Sequence, residues 1–289
     1  MSILVTGATG TIGSAVIERL AAAGADVRAL TRRPAEYQGP AGVRAVGGDP
    51  SDPVAMRTAL AVVDTLFVLN AVSTEELNQG ITLLTLARDA GIQRFVYLSV
   101  LNAETFTDVP HFTVKYTVER MIEQLDLPAT VLRASYFMQN DTGLKQAAEY
   151  GVYPMALGHV GIEMVDIRDI ADVAVASLLR RARATGPLPR EVIEIAGPDA
   201  MTGTSAAKIW ADALGRDVAY GGDDLDAAEA AIAERAPAWL AYDMRLMLSR
   251  FQRDGMRAKP AARGTLRTLL GREPRTYADF VREVTQQQA

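Results

Sequence analysis

Two residues that could take part in proton transfer lie four positions apart in the segment HFTVK (111–115). His111 is one of only two histidines in the chain, and Lys115 would share a helix face with it, because residues four apart lie on adjacent turns. An imidazole beside an ammonium suits a site at which a proton must reach a substrate that has just been reduced. The pair is also compatible with the first turn of an ordinary surface helix, so the surrounding elements must decide between the two interpretations.

A strand, a glycine-rich turn and a helix follow one another over residues 2–24. The apolar run SILVT predicts a buried strand, GATGTIG a turn, and the residues after it a helix that ends at Gly24. Gly7 would allow the tight turn, Gly10 would let the backbone approach a pyrophosphate, and Gly13 would let the helix pack closely on the strand. The helix N-terminus would offer free N–H groups to the phosphates. This context predicts a dinucleotide site rather than a plain turn.

The residues after the second predicted strand indicate which nicotinamide cofactor would bind. An Asp or Glu at the end of that strand would bind the ribose 2′-hydroxyl of NAD. The segment LTRRP (30–34) instead has Arg32 and Arg33, with no acid before Glu36. A guanidinium matches a 2′-phosphate in geometry and charge. The arginines could also belong to a solvated basic loop, but their place after the second strand favours NADP(H).

Strands and helices alternate through most of the chain. Predicted strands cover 2–6, 26–30, 43–49, 65–71, 94–100, 129–134 and 191–197, and predicted helices include 14–24, 53–60, 74–91, 112–125, 165–182 and 204–215. The alternation predicts an α/β fold with a Rossmann-type, doubly wound parallel sheet. Ligands of such sheets bind beyond the carboxyl ends of the strands. Asp49, Asn70, Ser99 and the loop after Ala134 would lie at that edge.

The last part of the chain, residues 224–289, is predicted to be helical. Its aromatic and methionine side chains predict core packing, although such residues also line adaptable pockets; they are Trp239, Tyr242, Met244, Met247 and Phe251. We therefore expect an NADP-binding Rossmann domain over 1–150, its sheet completed by parts of 160–200. A small, mostly helical lobe over 151–289 would form a substrate site or a lid.

Three polar residues of the second half have ordinary structural interpretations. Asp169 is predicted at the N-cap of a helix, an interpretation favoured over a functional carboxylate pair with Asp166. His159 is expected in a surface loop. The chain contains no cluster of residues with metal-ligand spacing, so no metal site is predicted.

The composition excludes several classes of function. The 289 residues carry a net charge of −5, so no basic surface indicates nucleic-acid binding. The chain has no cysteine, which excludes disulfides and thiolate catalysis and suits a reducing compartment. No signal-peptide pattern is present, and no apolar run approaches the roughly 20 residues of a membrane span. We expect a cytoplasmic protein with no membrane or nucleic-acid partner.

Four segments together resemble the NmrA-like branch of the atypical short-chain dehydrogenase/reductases, and in particular its NADPH-sensor group. They are PHFTVKYTVE (110–119), TVLRASYFMQN (130–140), VDIRDIADVA (165–174) and LLGREPRTYADFVRE (269–283). The resemblance implies a Rossmann domain that binds NADP(H) and a small C-terminal lobe that closes a substrate cleft. It does not imply one activity, since the family contains reductases of quinones, dyes and phenolic ethers as well as redox-sensing regulators.

The resemblance also implies roles for individual residues. The pyrophosphate would be held by Gly7, Thr9, Gly10, Thr11, Ile12 and Gly13, and the 2′-phosphate by Arg32 and Arg33. Asp49 and Pro50 would lie by the adenine, Asn70, Ala71 and Val72 by the cofactor ribose, and Lys115 by the nicotinamide ribose. Tyr136, Phe137 and Met138 would flank the nicotinamide.

The chain departs from the wider superfamily at one position. Catalytic members have a Tyr four residues before the Lys, where this chain has His111. Tyr116 follows Lys115 directly and lies on another helix face, so it is no simple replacement. His111 could still donate a proton or a hydrogen bond, although regulatory members of the family carry His here too.

Two functions remain as hypotheses. The first is an NADPH-dependent reductase of a small apolar or aromatic compound of carbonyl or quinone type, in which His111 would donate the proton. Ser99 could hydrogen-bond the same ligand atom, and Lys115 would bind the cofactor. The second is a non-catalytic NADP(H) sensor that acts through protein contacts. The resemblance favours the enzyme and leaves open whether the chain forms a homodimer or binds a regulatory protein.

Overall fold

The computed structural model of the protein describes residues 2–286. Its strands are β1 (Ser2–Val5), β2 (Asp26–Thr31), β3 (Arg44–Gly47), β4 (Thr65–Val68), β5 (Phe95–Val100), β6 (Ala129–Ala134), β7 (Val152–Tyr153), β8 (Glu191–Ile195) and β9 (Ala219–Tyr220). Its helices are α1 (Thr11–Ala22), α2 (Pro53–Leu60), α3 (Glu76–Asp89), α4 (Pro110–Gln124), α5 (Lys145–Glu149), α6 (Ile167–Arg183), α7 (Gly203–Leu214), α8 (Leu225–Ala233), α9 (Ala238–Asp254), α10 (Pro260–Leu270) and α11 (Tyr277–Gln286). Short 3-10 helices cover Pro34–Glu36 and Met138–Leu144.

Seven strands form one sheet in the order β3-β2-β1-β4-β5-β6-β8. β1 lies parallel to β2 and β4, and the pairs β2–β3 and β4–β5 are also parallel. The chain moves outward from β1 to β3 and then starts again at β4, so the strand order reverses beside β1. The predicted doubly wound, Rossmann-type sheet is confirmed.

The ends of two elements differ from the sequence prediction in ways that matter for the site. β4 ends at Val68, so Asn70 and Ala71 lie in the loop after the strand and not within it. α4 begins at Pro110, before the predicted start at Phe112. Proline suits a first helical position because its missing N–H would have no partner there. His111 therefore lies in the first turn of α4.

The chain divides into two compact units. The first contains the residues up to Val100 together with Val114–Arg133 and Arg168–Ile193; the second contains Leu101–Thr113, Ala134–Ile167 and the residues from Glu194 onward. Each unit is made of separate stretches of chain, because the chain crosses from one unit to the other after β5 and again within α4, β6, α6 and β8. The predicted division at residue 150 stays a prediction.

The core of the first unit lies between the sheet and its helices. Leu4, Leu66 and Val68 of the central strands are fully buried with Phe95 of β5 and Ile122 of α4. Near-continuous apolar strands such as these are typical of a parallel sheet covered on both faces. This core holds the carboxyl ends of the strands in fixed positions, which is what a site at that edge requires.

The second unit contains the helices α7 to α11 and a small sheet of β7 and β9. The predicted helical character of the C-terminal region is confirmed for the residues from 225 to 286, where four helices follow one another. α7 begins at Gly203, one residue before the predicted start, and its N-cap is Thr202, whose hydroxyl accepts from Ser205 N–H at 3.1 Å. β7 and β9 were not predicted, because two-residue strands leave no periodic pattern.

Two sequence interpretations of helices are wrong. α6 begins at Ile167, so Asp169 lies inside its first turn and not at the N-cap. The aromatic stripe of α9 is only partly core: Phe251 is fully buried, whereas Trp239 and Tyr242 are 40% and 53% exposed. Tyr242 and Phe251 are nine residues apart, which at about 100° per residue places them on opposite sides of the helix, so one covered face does not bury both.

No helix among residues 2–286 is long and apolar enough to cross a membrane. The same residues include no group of three or more His, Cys, Asp or Glu side chains that could hold a metal ion.

Candidate functional site

The turn between β1 and α1 depends on two of its glycines. Gly7 has a φ of +60°, a left-handed conformation that favours glycine. A Cβ on Gly13 would lie 2.1 Å from the carbonyl oxygen of Gly7, so no larger residue fits there without moving the turn. These two positions fix the path of the chain from strand to helix.

Gly10 differs from its neighbours in what surrounds it. The nearest atom to a Cβ on Gly10 would be the Gly7 carbonyl oxygen at 3.3 Å, which is tight but not a collision. Gly10 is the N-cap of α1 and has no capping side chain. The first helical hydrogen bond runs from Ser14 N–H to Gly10 at 2.9 Å, so the N–H groups of Thr11, Ile12 and Gly13 have no acceptor within the helix. Free N–H groups and the positive end of the helix dipole suit a pyrophosphate.

The two arginines after β2 are both exposed but have different partners. Arg33 Nη1 lies 2.8 Å from Glu36 Oε2, and both side chains face solvent. Arg32 makes no hydrogen bond or ion pair with any residue of the described chain. A cavity of about 210 Å³ lies beside the glycine turn, lined by Ala8, Thr9, Ser14, Glu18, Glu36, Tyr37, Gln38, Gly39 and Pro40. Of the two arginines, Arg32 is therefore the one whose charge is available to a phosphate without breaking an ion pair.

The loop after β4 contains an unsatisfied buried polar atom. Asn70 Nδ2 donates to the Glu76 carbonyl oxygen at 3.4 Å, while Asn70 Oδ1 is buried without a partner among residues 2–286. A buried polar atom without a partner costs about 1–3 kcal/mol, so such atoms often mark a ligand position. Ala71 and the exposed Val72 follow in the same loop. In the loop after β3, by contrast, the Asp49 side chain turns back to accept from Ser51 N–H at 2.8 Å, beside Pro50.

Lys115 is held by a carboxylate that the sequence analysis missed. Its Nζ lies 2.6 Å from Glu76 Oε1, and the two side chains are 12% and 2% exposed. Glu76 is the first residue of α3, where a negative charge also complements the helix dipole. The pair fixes the direction of the Lys115 side chain inside the first unit.

Replacing Lys115 with alanine is expected to weaken NADPH binding and to lower the free energy of unfolding by roughly 3 kcal/mol, since Glu76 would stay buried without its cation. The double variant Glu76→Gln/Lys115→Ala should recover most of the stability but not the affinity. Denaturant unfolding and fluorescence titration with NADPH measure the two effects separately. Unchanged NADPH affinity in Lys115→Ala would remove Lys115 from the cofactor site.

Ser99 occupies the end of β5 as predicted, but its hydroxyl is already engaged. It donates to Glu119 Oε1 at 2.5 Å. Glu119 also pairs with Arg133, whose Nη2 donates to Glu119 Oε2 at 2.7 Å, and all three side chains are buried. The Ser99 hydrogen is therefore committed to this network, and only an oxygen lone pair remains for a ligand.

His111 is bound at two points by Asp243 of α9. Its Nδ1 lies 2.7 Å from Asp243 Oδ1, and its backbone N–H donates to Asp243 Oδ2 at 3.2 Å. The side chains are 9% and 3% exposed. The other histidine, His159, lies in an exposed loop beside Asp223, as the sequence predicted, with 71% of its side chain exposed.

The residues after β6 surround a buried carboxylate. Tyr136 and Met138 are buried, and Phe137 is half-buried. The Asp141 carboxylate accepts hydrogen bonds from Tyr136, Tyr153 and Tyr277 at 3.3, 2.7 and 2.5 Å, with no exposed surface of its own. Burial raises the pKa of Asp141 to about 6, because three phenol donors do not offset the loss of water around the charge.

Stability should depend on pH through Asp141. Because the folded pKa lies above the ordinary 3.8, the folded state binds the proton more tightly, and stability falls as pH rises from 3.8 to about 6. The decrease is about 3 kcal/mol at 1.36 kcal/mol per unit. Asp141→Asn imitates the protonated form. Its gain in stability over the wild type should therefore grow from about zero at pH 3.8 to about 3 kcal/mol near pH 6. Denaturant unfolding at several pH values measures the gain, and Asp212→Asn, an exposed position, should show none.

The sheet order, the glycine turn and the free helix N-terminus are those of a Rossmann-type dinucleotide-binding protein. The family model for the NmrA-like family matches residues 1–250. The chain belongs to the NmrA-like family, as its sequence motifs predicted.

Known proteins similar to this chain over its whole length include two curated reductases. The NAD(P)H azoreductase of Xenophilus azovorans is 30% identical over 284 residues, which cover 97% of this chain and 96% of the relative. The (4-alkanoyl-5-oxo-2,5-dihydrofuran-3-yl)methyl phosphate reductase of Streptomyces griseus is 33% identical, with 97% of each chain covered. A crystal structure of the NADPH-dependent quinone oxidoreductase of Escherichia coli, complexed with NADPH, is 26% identical and superposes with a TM-score of 0.87, covering 98% of this chain and 100% of the other.

Proposed function

We propose that the protein is an NADPH-dependent reductase of small apolar or aromatic compounds of carbonyl or quinone type. The observation that carries the proposal is the turn before α1, which combines an open Gly10 with unpartnered N–H groups in a chain whose full-length relatives are reductases. The buried Asn70 Oδ1 adds a polar atom that needs a partner. The residues of the first unit thus fit a dinucleotide.

Each part of the cofactor would have its own residues. The turn from Gly7 to Gly13 would hold the pyrophosphate, Arg32 and Arg33 the 2′-phosphate, and Asn70 and Lys115 ribose hydroxyls. NADPH supplies a hydride when it is bound. The protein would orient the cofactor and exclude water, with Glu76 keeping the Lys115 ammonium in place.

The exposed rings of α9 support an aromatic substrate class. Trp239 and Tyr242 lie three residues apart on the helix, so they share a surface, and both are more than a third exposed. Large aromatic side chains at a surface offer wide apolar contact area with a polar tip. We assign them to contact with the ring system of the substrate.

The test is steady NADPH consumption with a panel of quinones, azo dyes and aldehydes. We expect turnover of at least one class of aromatic acceptor. Trp239→Ala should reduce the specificity constant for that acceptor. Absence of turnover with every acceptor, in protein that binds NADPH, would overturn the reductase proposal.

A preference for NADPH over NADH of at least about tenfold is expected, because a charge-assisted phosphate contact contributes roughly 1.5–3 kcal/mol and 1.4 kcal/mol is one decade. Arg32→Ala should remove more of the preference than Arg33→Ala, since Arg33 already pairs with Glu36. Titration calorimetry with both cofactors measures the ratio. Equal affinities for the two cofactors in the wild type would exclude these arginines as phosphate ligands.

One structural feature favours the alternative of a non-catalytic NADP(H) sensor. Ser99, His111 and Lys115, the three candidate catalytic residues, are each bound to a carboxylate. A sensor would bind NADPH without turnover and would capture a protein partner, or a second copy of itself, in one cofactor state only. The absence of cysteine suits the reducing cytoplasm, which we infer as its location in either case.

A further inference from the structure

We propose that Asp243 is a positioning residue that holds His111 with its proton on Nδ1, so that Nε2 is the ring nitrogen that exchanges a proton with the substrate. The inference rests on the proposed reductase function and names a residue, Asp243, for which the sequence motifs assign no role. Its basis is the contact between the first turn of α4 and the second turn of α9, both within the second unit.

Both oxygens of the Asp243 carboxylate contact His111. Oδ1 lies 2.7 Å from His111 Nδ1, and Oδ2 accepts from the His111 backbone N–H at 3.2 Å. That N–H belongs to the first turn of α4 and has no acceptor within the helix. One carboxylate therefore satisfies the helix end and fixes the rotation of the imidazole about its Cβ–Cγ bond.

The contact also selects a tautomer. An ionised carboxylate can only accept hydrogen bonds, so the hydrogen between Asp243 and His111 must be carried by Nδ1. A neutral imidazole has one N–H, which leaves Nε2 without a hydrogen. Nε2 makes no hydrogen bond with any of residues 2–286, and part of the His111 side-chain surface stays exposed. Nε2 is thus the atom open to a substrate.

The surroundings on α9 suit an aromatic reactant. Trp239 lies four residues before Asp243, hence one turn away on the same face of the helix, and it is 40% exposed. The Phe112 ring packs edge-on to the imidazole, with centroids 4.6 Å apart, and restricts the movement of the imidazole. A planar ring held against Trp239 would lie near the helix face that holds the histidine.

His111 would transfer its Nε2 proton to the oxygen of the reduced substrate. Reduction of a quinone or carbonyl leaves an anion on the substrate oxygen, the electron pair having come with the hydride. The Nε2–H bond of the His111 imidazolium breaks, a new O–H bond forms on the substrate, and the imidazole becomes neutral with Nδ1–H still donating to Asp243. A proton taken up from bulk solvent then restores the Nε2–H bond, and with it the imidazolium that the next transfer needs. The hydrogen bond between Nδ1 and Asp243 persists throughout and stabilises the imidazolium.

Asp243→Asn provides a sharp test, because an amide has one oxygen for two donors. If that oxygen keeps the backbone N–H of His111, the amide NH₂ faces Nδ1, which must then accept, and the hydrogen moves to Nε2. ¹⁵N NMR of labelled imidazoles distinguishes the tautomers at a pH where imidazole is neutral, and two histidines in the chain make the assignment simple. We expect Nδ1–H in the wild type and Nε2–H in the variant, with kcat lowered about 100-fold and NADPH affinity unchanged.

Asp223→Asn is the matched control, since Asp223 lies 3.1 Å from Nε2 of the exposed His159. It should leave the His111 signals and kcat unchanged. An Nε2–H tautomer of His111 in the wild type would overturn the proposal even if Asp243→Asn did not fold. A tautomer change without loss of turnover would overturn it as well. NADPH binding without turnover in the wild type would contradict the reductase function, while the tautomers would still report on Asp243.

Discussion

Gly10→Val is expected to abolish NADPH binding while the protein keeps its fold. The Cβ would meet only the Gly7 carbonyl oxygen at 3.3 Å, a contact that a small shift relieves. The branched side chain would instead stand over the N–H groups of Thr11 and Ile12, where the pyrophosphate must approach the backbone. Since several charge-assisted hydrogen bonds would be lost together, we expect affinity to fall by at least about 1000-fold, or roughly 4 kcal/mol.

Calorimetric titration with NADPH and a thermal melt of the same sample check both parts of the expectation. Gly186→Val is a matched control in the same unit, because nothing lies within 4 Å of a Cβ there. It should bind as the wild type does. A folded Gly10→Val protein with wild-type affinity would remove the glycine turn from the cofactor site. Gly13→Val, in contrast, should lose the fold itself, since its Cβ would lie 2.1 Å from Gly7.

Replacement of His111 with glutamine should lower kcat by about 100-fold, the low end for a lost general acid, with NADPH affinity retained. Glutamine is the informative substitution because its amide N–H can still donate to the buried Asp243, whereas phenylalanine leaves that carboxylate without its side-chain partner. His111→Phe should therefore lose the same turnover and also about 3 kcal/mol of unfolding free energy.

Single-turnover kinetics with an aromatic acceptor would separate the chemical step from product release. His159→Gln, at the exposed second histidine, should turn over as the wild type does. Full activity in His111→Gln would show that water supplies the proton and would take His111 out of the mechanism. If the protein is a sensor, His111→Gln and His111→Phe should both bind NADPH normally, and only the conformation of the NADPH-bound protein should change.

Local patterns in the sequence were enough for the architecture of the first unit. The alternation of apolar strands with amphipathic helices predicted the doubly wound sheet, because each element must bury its own apolar side. The glycine positions predicted the turn for a similarly local reason: Gly7 needs a left-handed backbone, and Gly13 needs the absence of a Cβ. Such requirements act within a few residues and are therefore visible in the sequence.

The carboxylates that hold the candidate catalytic residues were decided only by the tertiary structure. Three contacts join residues far apart in the sequence: Glu119 and Ser99 are separated by 20 positions, Glu76 and Lys115 by 39, and Asp243 and His111 by 132. The chain has 35 acidic residues, and nothing local marks these three among them. Which carboxylate meets which donor depends on how the helices cross, and burial then makes the pairing obligatory because an unpaired charge would be too costly.

The exposure of side chains was decided in the same way. Trp239 and Phe251 belong to one helix, yet the first is 40% exposed and the second fully buried, since at about 100° per residue they lie roughly 120° apart around the helix axis. Periodicity gives the direction of each side chain around a helix, but which side of the helix is covered depends on the elements that pack against it. The sequence by itself therefore determined the sheet, the glycine turn and the family of this protein. The packing of distant segments decided which polar groups are locked and which aromatic rings remain open.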